Sequence, residues 1–396
     1  MKLLSFLFLG GATLFASSSN QDIIRDMQLY KQSQTQNIAY IKKMNLETIK
    51  QNKFYYTKIS DASSAYYKDY LSKKWGKYNV KLSNKTTFTQ YNKDMNTRES
   101  IDFKNGLVTI EIISDKKHNI DLKKFNDTLT SLSNETLADS LDKDPVATLE
   151  KKYLIKKKIV KPYILKSKVH YLDGLFQDKE VVQKDIQHKE VVLANGEKKF
   201  IHYVTIPMVP NYLEKRALKY KSFVLQKSKE YNIPPSIVFA TIQTESYFNP
   251  LAKSHVPAYG LMQIVPTTAG VDAYYALTKT KKILSPNYLY DEHNNITLGT
   301  KYIQIIRENY LRGVTNQKSL LYCAAISYNA GIGSLVYSLT GSKKKRLLAI
   351  QMINKMTPEQ LYKHLRTSTR LTHEARNYVK SISQRSKNYL AWDVEV

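Results

Sequence analysis

The stretch TIQTESYFNP, residues 241–250, sets a single carboxylate, Glu245, at the end of an apolar run and just ahead of Asn249-Pro250. Pro234 and Pro235 upstream suit the first turn of a helix, where a missing N–H is no loss. Ile237, Val238, Ala240, Thr241 and Ile242 then recur at helical spacing, and Asn-Pro biases the chain out of the helix. Glu245 therefore falls in the last turn, three and four residues after Ile242 and Thr241 and on much the same face. The negative end of the helix macrodipole repels an ionised carboxylate there. Burial on the apolar side disfavours the charge further, and both effects raise the pKa. A carboxyl kept protonated near neutral pH is what a general acid requires. Taken alone, the pattern equally fits a glutamate at a helix edge pointing into water.

A chain of 396 residues can bury a large core, and 42% apolar residues is too many for a wholly disordered one. The formal net charge of +27 points to an anionic partner: nucleic acid, an anionic membrane surface or the acidic cell-wall polymer. The charge is spread as single lysines and short runs such as Lys343–Arg346, with neither zinc-finger spacing nor an aromatic RNA-binding signature. The opening MKLLSFLFLGGATLFASSSN has a lysine after Met1, an apolar core over 3–15, and small residues at Ala16-Ser17-Ser18. It reads as a cleaved secretory signal over 1–18, too short for a membrane span. The expected location is periplasmic, with no stable membrane insertion. Cys323, in the apolar run LLYCAAISYNAG, is the only cysteine in the sequence and reads as a buried thiol. No cysteine near the signal can carry a lipid, so a lipid anchor is not expected.

Residues 19–205 read as a mixed α+β segment. Residues 21–53 suggest a polar helix, and 115–154 helix with loops. NGLVTIEIIS (105–114) reads as a strand, and KEVVLA and FIHYVTIPM as two more flanking the hairpin signal Asn195-Gly196. His188 and His202 fit ordinary strand positions, and nothing in this half clusters carboxylates, histidines or glycines in a catalytic pattern. IPMVPN (206–211) reads as a linker. From 212 to 396 the chain becomes helices separated by short breaks, expected at 213–231, 235–246, 295–310, 318–329, 358–365 and 374–389. Thr357-Pro-Glu-Gln360 carries a capping box with proline at its first helical position, and Gly331 suits a helix end.

Three further motifs follow Glu245 in order. AYGLMQIVP (258–266) sets Gly260 at a tight approach before Met262 and Gln263. SYNAGIG (327–333) puts Tyr328 and Asn329 at a helix end, and HEARNYVKSI (373–382) puts Tyr378 on a helix. Singly each has a plain packing explanation. Together, Glu-Ser, Gly-Leu-Met-Gln, Tyr-Asn-Ala-Gly and Asn-Tyr-Val resemble the soluble-lytic-transglycosylase superfamily, glycoside hydrolase family 23. The C-terminal stretch 353–392 and the mixed N-terminal half are similar to one subfamily, the membrane-bound lytic murein transglycosylases of type C. The resemblance implies an α+β protein: a mainly α, goose-lysozyme-like catalytic domain behind the mixed accessory domain. It implies Glu245 as acid and base, and Ser254 as a contact to the glutamate or the substrate. Gln263 and Tyr328 would hydrogen-bond the sugar or its N-acetyl group. Asn329 and Gly331 would shape the groove floor, Gly260 and Met262 would count among the substrate-binding residues, and the Tyr378 hydroxyl would lie near the carboxylate. Peptidoglycan is the implied substrate, with no metal, cofactor or nucleic acid. The sequence departs from the subfamily in lacking its acylated cysteine and in reading Tyr-Asn-Ala-Gly where Tyr-Asn-Gly-Gly is usual.

The expected reaction is non-hydrolytic cleavage of the MurNAc-β-1,4-GlcNAc bond, leaving 1,6-anhydroMurNAc ends. The competing reading is a muramidase, a hydrolase with a second carboxylate. SYFNPLAKSHVPAY, which follows Glu245, contains no acid; Asp272, Asp291 and Glu292 are the nearest downstream. A wall-binding protein without activity would not need Glu245, and a nucleic-acid binder would explain the charge alone.

Overall fold

The computed structural model describes residues 20–118, 121–176 and 180–396, and for residues 20–46 and 49 the backbone alone. The signal-like segment 1–18 lies outside the described residues. The chain divides into two compact units, 1–54 and 55–396. A helix runs from Asn20 to Trp75, and everything described below belongs to the second unit.

A five-stranded antiparallel sheet organises the N-terminal half, with strands β1 Thr87–Tyr91, β2 Thr97–Asp102, β3 Leu107–Ser114, β4 Gln187–Val192 and β5 Lys198–Pro207. Their order is β1-β2-β3-β5-β4. β3 and β5 stand where the sequence places strands, and β4 and β5 form the hairpin at Asn195-Gly196, with Gly196 at φ 82°. β1 and β2 are absent from the sequence reading: TFTQY and TRESID are largely polar, yet both are mostly buried. Their polar side chains are satisfied within the fold. Arg98 on β2 makes a bidentate pair with its cross-strand neighbour Glu111 on β3, at 2.6 and 2.9 Å, and lies 4.0 Å over the Trp75 ring.

Alternation along β3 sends residues to both faces. Ile110 and Ile112 pack with Phe125, Val204 and Ile206, whereas Ile113 joins Leu71, Trp75, Tyr91 and Ile201 on the other side. Helices Leu122–Asn134, Leu137–Asp142 and Pro145–Lys156 fill the region read as helix with loops. His188 and His202 sit on adjacent strands and face each other at 6.0 Å, and no metal-binding group is found among the described residues.

The C-terminal half is helical as expected. Tyr212–Tyr231, Pro235–Ser246, Gln317–Ala330, Pro358–Thr367 and His373–Arg385 match the sequence reading within a few residues. Helix Glu292–Ile305 continues into a π-turn at Ile306–Tyr310. Four short helices were not anticipated: Ala269–Thr278, Pro286–Tyr290, Ile332–Thr340 and Arg346–Lys355. Among the described residues no single helix is long and apolar enough to cross a membrane.

Helix Pro235–Ser246 runs through the centre of this half. Val238, Phe239 and Ile242 join the core shared with the sheet, and Ala240 joins a second core around Cys323, Ile326 and Val379. Cys323 is a free, buried thiol, as its apolar surroundings require.

The two halves pack against each other within this unit. The segment 206–211 is tied down, since Met208 N–H donates to the Gly106 carbonyl and Val209 N–H to that of Leu175. Deeper in, Glu150 of helix Pro145–Lys156 is wholly buried between two groups of the C-terminal half. Lys253 Nζ lies 2.9 Å from it, and the Tyr259 hydroxyl donates to it at 2.6 Å. Removing one member of a buried pair strands the other charge, at a cost of about 3–5 kcal/mol. Lys253→Met is therefore expected to lower unfolding stability by about 3 kcal/mol, and the double variant Glu150→Gln/Lys253→Met to lose much less. Urea denaturation of the parent, Lys253→Met, Glu150→Gln and the double variant checks the coupling, and additive losses would show that the pair does not act as a unit.

Candidate active site

Glu245 ends its helix as the sequence requires. Tyr247 is the C-cap at φ 51°, Phe248 follows at φ 62°, and Asn249 is fully buried beyond them. Both ends of this helix are finished by the C-terminal segment. At the start, where Pro234 has no side chain to offer, Asp393 accepts from the Ser236 N–H and hydroxyl, each at 2.7 Å. At the end, Arg385 donates to the Gln243 carbonyl at 3.0 Å and to the Tyr247 hydroxyl at 2.6 Å. A cation at a helix C-terminus offsets the macrodipole there. The dipole argument of the sequence reading is thus weakened by Arg385, and another cause must raise the Glu245 carboxyl.

That cause is burial. Glu245 is 5% exposed, and loss of water raises its carboxyl above the usual glutamate range. The charge of Glu374 raises it further, whereas Lys85 and the Tyr378 hydroxyl pull it back down. Lys85 Nζ stands 3.6 Å from Glu245 Oε2 and 3.4 Å from Glu374 Oε1. Tyr378 is buried, and its hydroxyl lies near enough to the Glu245 carboxyl to favour the charged form. Tyr328 also feels the Glu245 charge.

The loop facing Glu245 is built around backbone constraints. Gly260 has φ 76°, and a Cβ there would come within 2.4 Å of both Asn295 Nδ2 and the Leu289 carbonyl oxygen. Asn295 is fully buried and satisfies three backbone groups at once. Its amide donates to Tyr259 O at 2.8 Å and to Leu289 O at 2.7 Å, and its oxygen accepts from Met262 N–H at 2.8 Å. Met262 is buried against Gly299, where any Cβ would strike its sulfur. Gln263 follows at φ 49°, with its amide nitrogen bonded to the Ala252 and Gly260 carbonyls and its Oε1 buried without a donor. Tyr328 closes the arrangement by donating to the Met262 carbonyl at 2.8 Å. Ser246, next to Glu245, donates to the Leu261 carbonyl at 2.8 Å and so joins the helix end to this loop.

Glu245, Tyr328 and Tyr378 are therefore brought together, with Gly260, Met262 and Gln263 forming the facing loop. Asn329 stands one step away, its amide 3.4 Å from Glu374 Oε1. Ser254 is not joined to Glu245. Its hydroxyl is used inside its own turn, donating to the Val256 carbonyl and accepting from Ala258 N–H. Beside Ser254 a cavity of about 410 Å³ opens, lined also by Asn84, His255, Asp61 and Lys68.

Two residues of this site carry no sequence signal. Lys85 comes from the N-terminal half, where no catalytic pattern is visible, and Glu374 is an exposed first-turn acid like any other helix start. Of the acids that the sequence offers as partners, Asp291 caps helix Glu292–Ile305 and accepts from the Tyr163 hydroxyl at 3.1 Å, and Glu292 accepts from the Ser167 hydroxyl at 3.2 Å.

Comparison with known proteins finds two family models along the chain. The model of the membrane-bound lytic murein transglycosylase C N-terminal domain matches residues 48–219, and that of the transglycosylase SLT domain matches residues 222–348. The chain is 33% identical over 321 residues to membrane-bound lytic murein transglycosylase C of Photorhabdus laumondii, spanning 80% of this chain and 85% of that one. It is 31% identical over 324 residues to the protein of the same name from Mannheimia succiniciproducens, again spanning 80% and 85%. Among solved structures, the 70 kDa soluble lytic transglycosylase of Escherichia coli is similar at 26% identity, with a TM-score of 0.35. That likeness spans 46% of this chain and 26% of that one.

The loop geometry makes Gly260→Ala a severe change, since it combines a left-handed backbone with an overlap against Asn295 and the Leu289 carbonyl. The expected cost is about 2–3 kcal/mol or more. Thermal unfolding reads it, and an unchanged melting temperature would mean that the loop is not held as tightly as Asn295 implies.

Proposed function

The chain belongs to the membrane-bound lytic murein transglycosylase C family, and we propose that in it Glu245 acts first as the acid and then as the base of glycan cleavage. The protein is an enzyme of the cell envelope that acts on peptidoglycan as a lytic transglycosylase. The observation that carries the proposal is a buried carboxyl, raised by desolvation, set among tyrosines beside a rigid loop.

The neutral carboxyl gives its proton to the oxygen linking MurNAc to GlcNAc. The bond between that oxygen and the MurNAc anomeric carbon breaks, and its electron pair leaves with the oxygen. Positive charge then develops at the anomeric carbon, where most glycosidases use a second carboxylate. The segment that follows Glu245 offers no acid for this, and the substrate's own N-acetyl carbonyl supplies the support; such assistance is a known exception. The Glu245 carboxylate then takes the proton of the C6 hydroxyl on the same sugar, and that oxygen closes on the anomeric carbon to give the 1,6-anhydro ring. The C6 hydroxyl is tethered, so its effective concentration can exceed that of water.

Tyr328, Gln263 and the Met262 carbonyl form the proposed N-acetyl subsite. Gln263 Oε1 is buried without a donor, and an acetamido N–H is the group it lacks. Gly260 and Asn329 shape the groove, Tyr378 faces the carboxyl, and Ser254 would meet the substrate at the cavity beside it.

One observation favours the competing hydrolase. Glu245 Oε2 and Glu374 Oε1 share one ammonium at 3.6 and 3.4 Å, so the two oxygens are no more than about 7 Å apart. That bound admits the spacing of retaining glycosidases, roughly 5–5.5 Å, and just reaches the lower end of that of inverting ones, roughly 6.5 Å. Glu374 Oε1, however, is engaged by Lys85 and Asn329, which leaves it poorly placed to hold a water.

In the cell the proposed arrangement is a signal over 1–18, an accessory segment over 19–205, a linker over 206–211 and the catalytic segment over 212–396. The protein would be released to the periplasm, where its basic surface helps to hold the anionic wall. Glu245→Gln tests the central assignment. The amide cannot give and take the proton, so release of soluble muropeptides from sacculi should fall about 100- to 10,000-fold with the melting temperature kept. Clearing at near the parent rate by a folded Gln variant would remove Glu245 from the chemistry.

A further inference from the structure

The backbone around Lys85 is held against the end of the catalytic helix. Asn84 Oδ1 accepts from the N–H groups of Thr86 and Thr87, each at 2.9 Å, which turns the chain sharply at Lys85. The carbonyls on either side of that turn both receive donors from the segment just after Glu245. Lys253 N–H reaches Asn84 O at 3.4 Å, and the fully buried Asn249 amide reaches Lys85 O at 3.5 Å. Asn249 is itself fixed, donating its N–H to the Ser246 carbonyl and accepting from Leu251 N–H. The segment from Asn249 to Lys253, which begins four residues after Glu245, therefore carries the groups that receive the 84–85 turn. Lys85 then extends a side chain that is 36% exposed into the site, between Glu245 and Glu374.

We propose that Lys85, delivered by the N-terminal half, is a positioning residue for the transglycosylase reaction: its ammonium takes up the charge that Glu245 acquires on giving its proton to the glycosidic oxygen. The proposal rests on the reading of Glu245 as the acid. The resting site holds a neutral carboxyl, and proton transfer leaves a carboxylate in a place that burial makes unfavourable for charge. A cation 3.6 Å away lowers the energy of that state and of the transition state leading to it. Glu374, on the far side of the same ammonium, divides its field and keeps Lys85 from ionising Glu245 before substrate arrives. A glycan strand lying in the groove would cover the exposed side of Lys85, and attraction between charges strengthens as water is removed.

The groups that face Glu245 come from three elements. Lys85 belongs to the 84–87 turn, Glu374 and Tyr378 to helix His373–Arg385, and Tyr328 to helix Gln317–Ala330. Of these, only Lys85 is a cation. Arg385 donates to the Gln243 carbonyl and the Tyr247 hydroxyl. The accessory half thus supplies a part of the reaction centre that the helical half lacks.

The test is the pH profile of muropeptide release from sacculi for Lys85→Met, Lys85→Arg and Glu374→Gln. A general acid works in its protonated form, so the alkaline limb marks its ionisation. Removing the cation raises the carboxyl pKa, and the limb of Lys85→Met should move to higher pH while kcat falls by roughly 10- to 100-fold. Removing the anion acts oppositely, and the limb of Glu374→Gln should move to lower pH. Lys85→Arg should hold the limb near its parent position. A purely structural role predicts none of these opposed shifts, only a common loss of melting temperature. An unmoved limb in folded Lys85→Met would overturn the proposal. Glu245→Gln run in parallel separates the two failures: an inactive Gln variant with an unmoved Lys85→Met limb removes Lys85 alone, and an active one removes Glu245 and Lys85 together.

Discussion

Desolvation of one carboxyl is the constraint on which the rest of the structure depends. Glu245 is held out of water at the end of a helix, and a carboxyl so placed stays neutral unless something stabilises its charge. The surroundings supply that stabilisation in small amounts. One ammonium stands on one side, a buried tyrosine hydroxyl favours the charged form, and a second acid tempers the ammonium. A reaction that asks one group to give a proton and then take one back needs a carboxyl for which neither state is far out of reach. A fully exposed glutamate would be ionised at rest, and one buried without a cation would resist ionising at all.

Holding this balance requires rigid walls, and the fold supplies them from both halves of the unit. Asn295 fixes the Gly260–Met262 loop from below, and Glu150 with Lys253 and Tyr259 fixes its flank from the N-terminal side. Arg216, from helix Tyr212–Tyr231, lies 4.0 Å over the Phe103 ring and donates to the Phe248 carbonyl, bracing the turn after Glu245. The accessory sheet is thereby part of the active-site scaffold. Its hidden polar strands, with Arg98 and Glu111 paired inside, give the 79–87 segment a firm base from which to present Lys85.

The helical half was readable because its signals are local. Proline at a helix start, glycine at a helix end and the Thr357–Gln360 capping box all act within a few residues, and all stand in the structure. Glu245 and its neighbours in the groove were legible from the order of short motifs and from their family resemblance. What stayed hidden depends on contacts across long stretches of chain. β1 and β2 look like loops because their polar residues find partners only once the sheet and the Asn20–Trp75 helix have come together. Lys85 is one of many lysines in a basic chain, and only the Asn84 turn and its docking on Asn249 single it out. The dipole argument for Glu245 reached the right direction of shift for a partly wrong reason. Arg385, 140 residues away, caps that helix end, and burial does the raising instead.

The central claim is that one carboxyl performs both proton transfers and that no water enters the reaction. Mass spectrometry of the muropeptides released from purified sacculi by the parent enzyme tests it most directly. The account predicts disaccharide-peptides lighter by one water than their hydrolysed counterparts, with 1,6-anhydroMurNAc at the cleaved end. A clean yield of reducing-end MurNAc would contradict it, and would turn attention to Glu374 as the carboxylate that activates water.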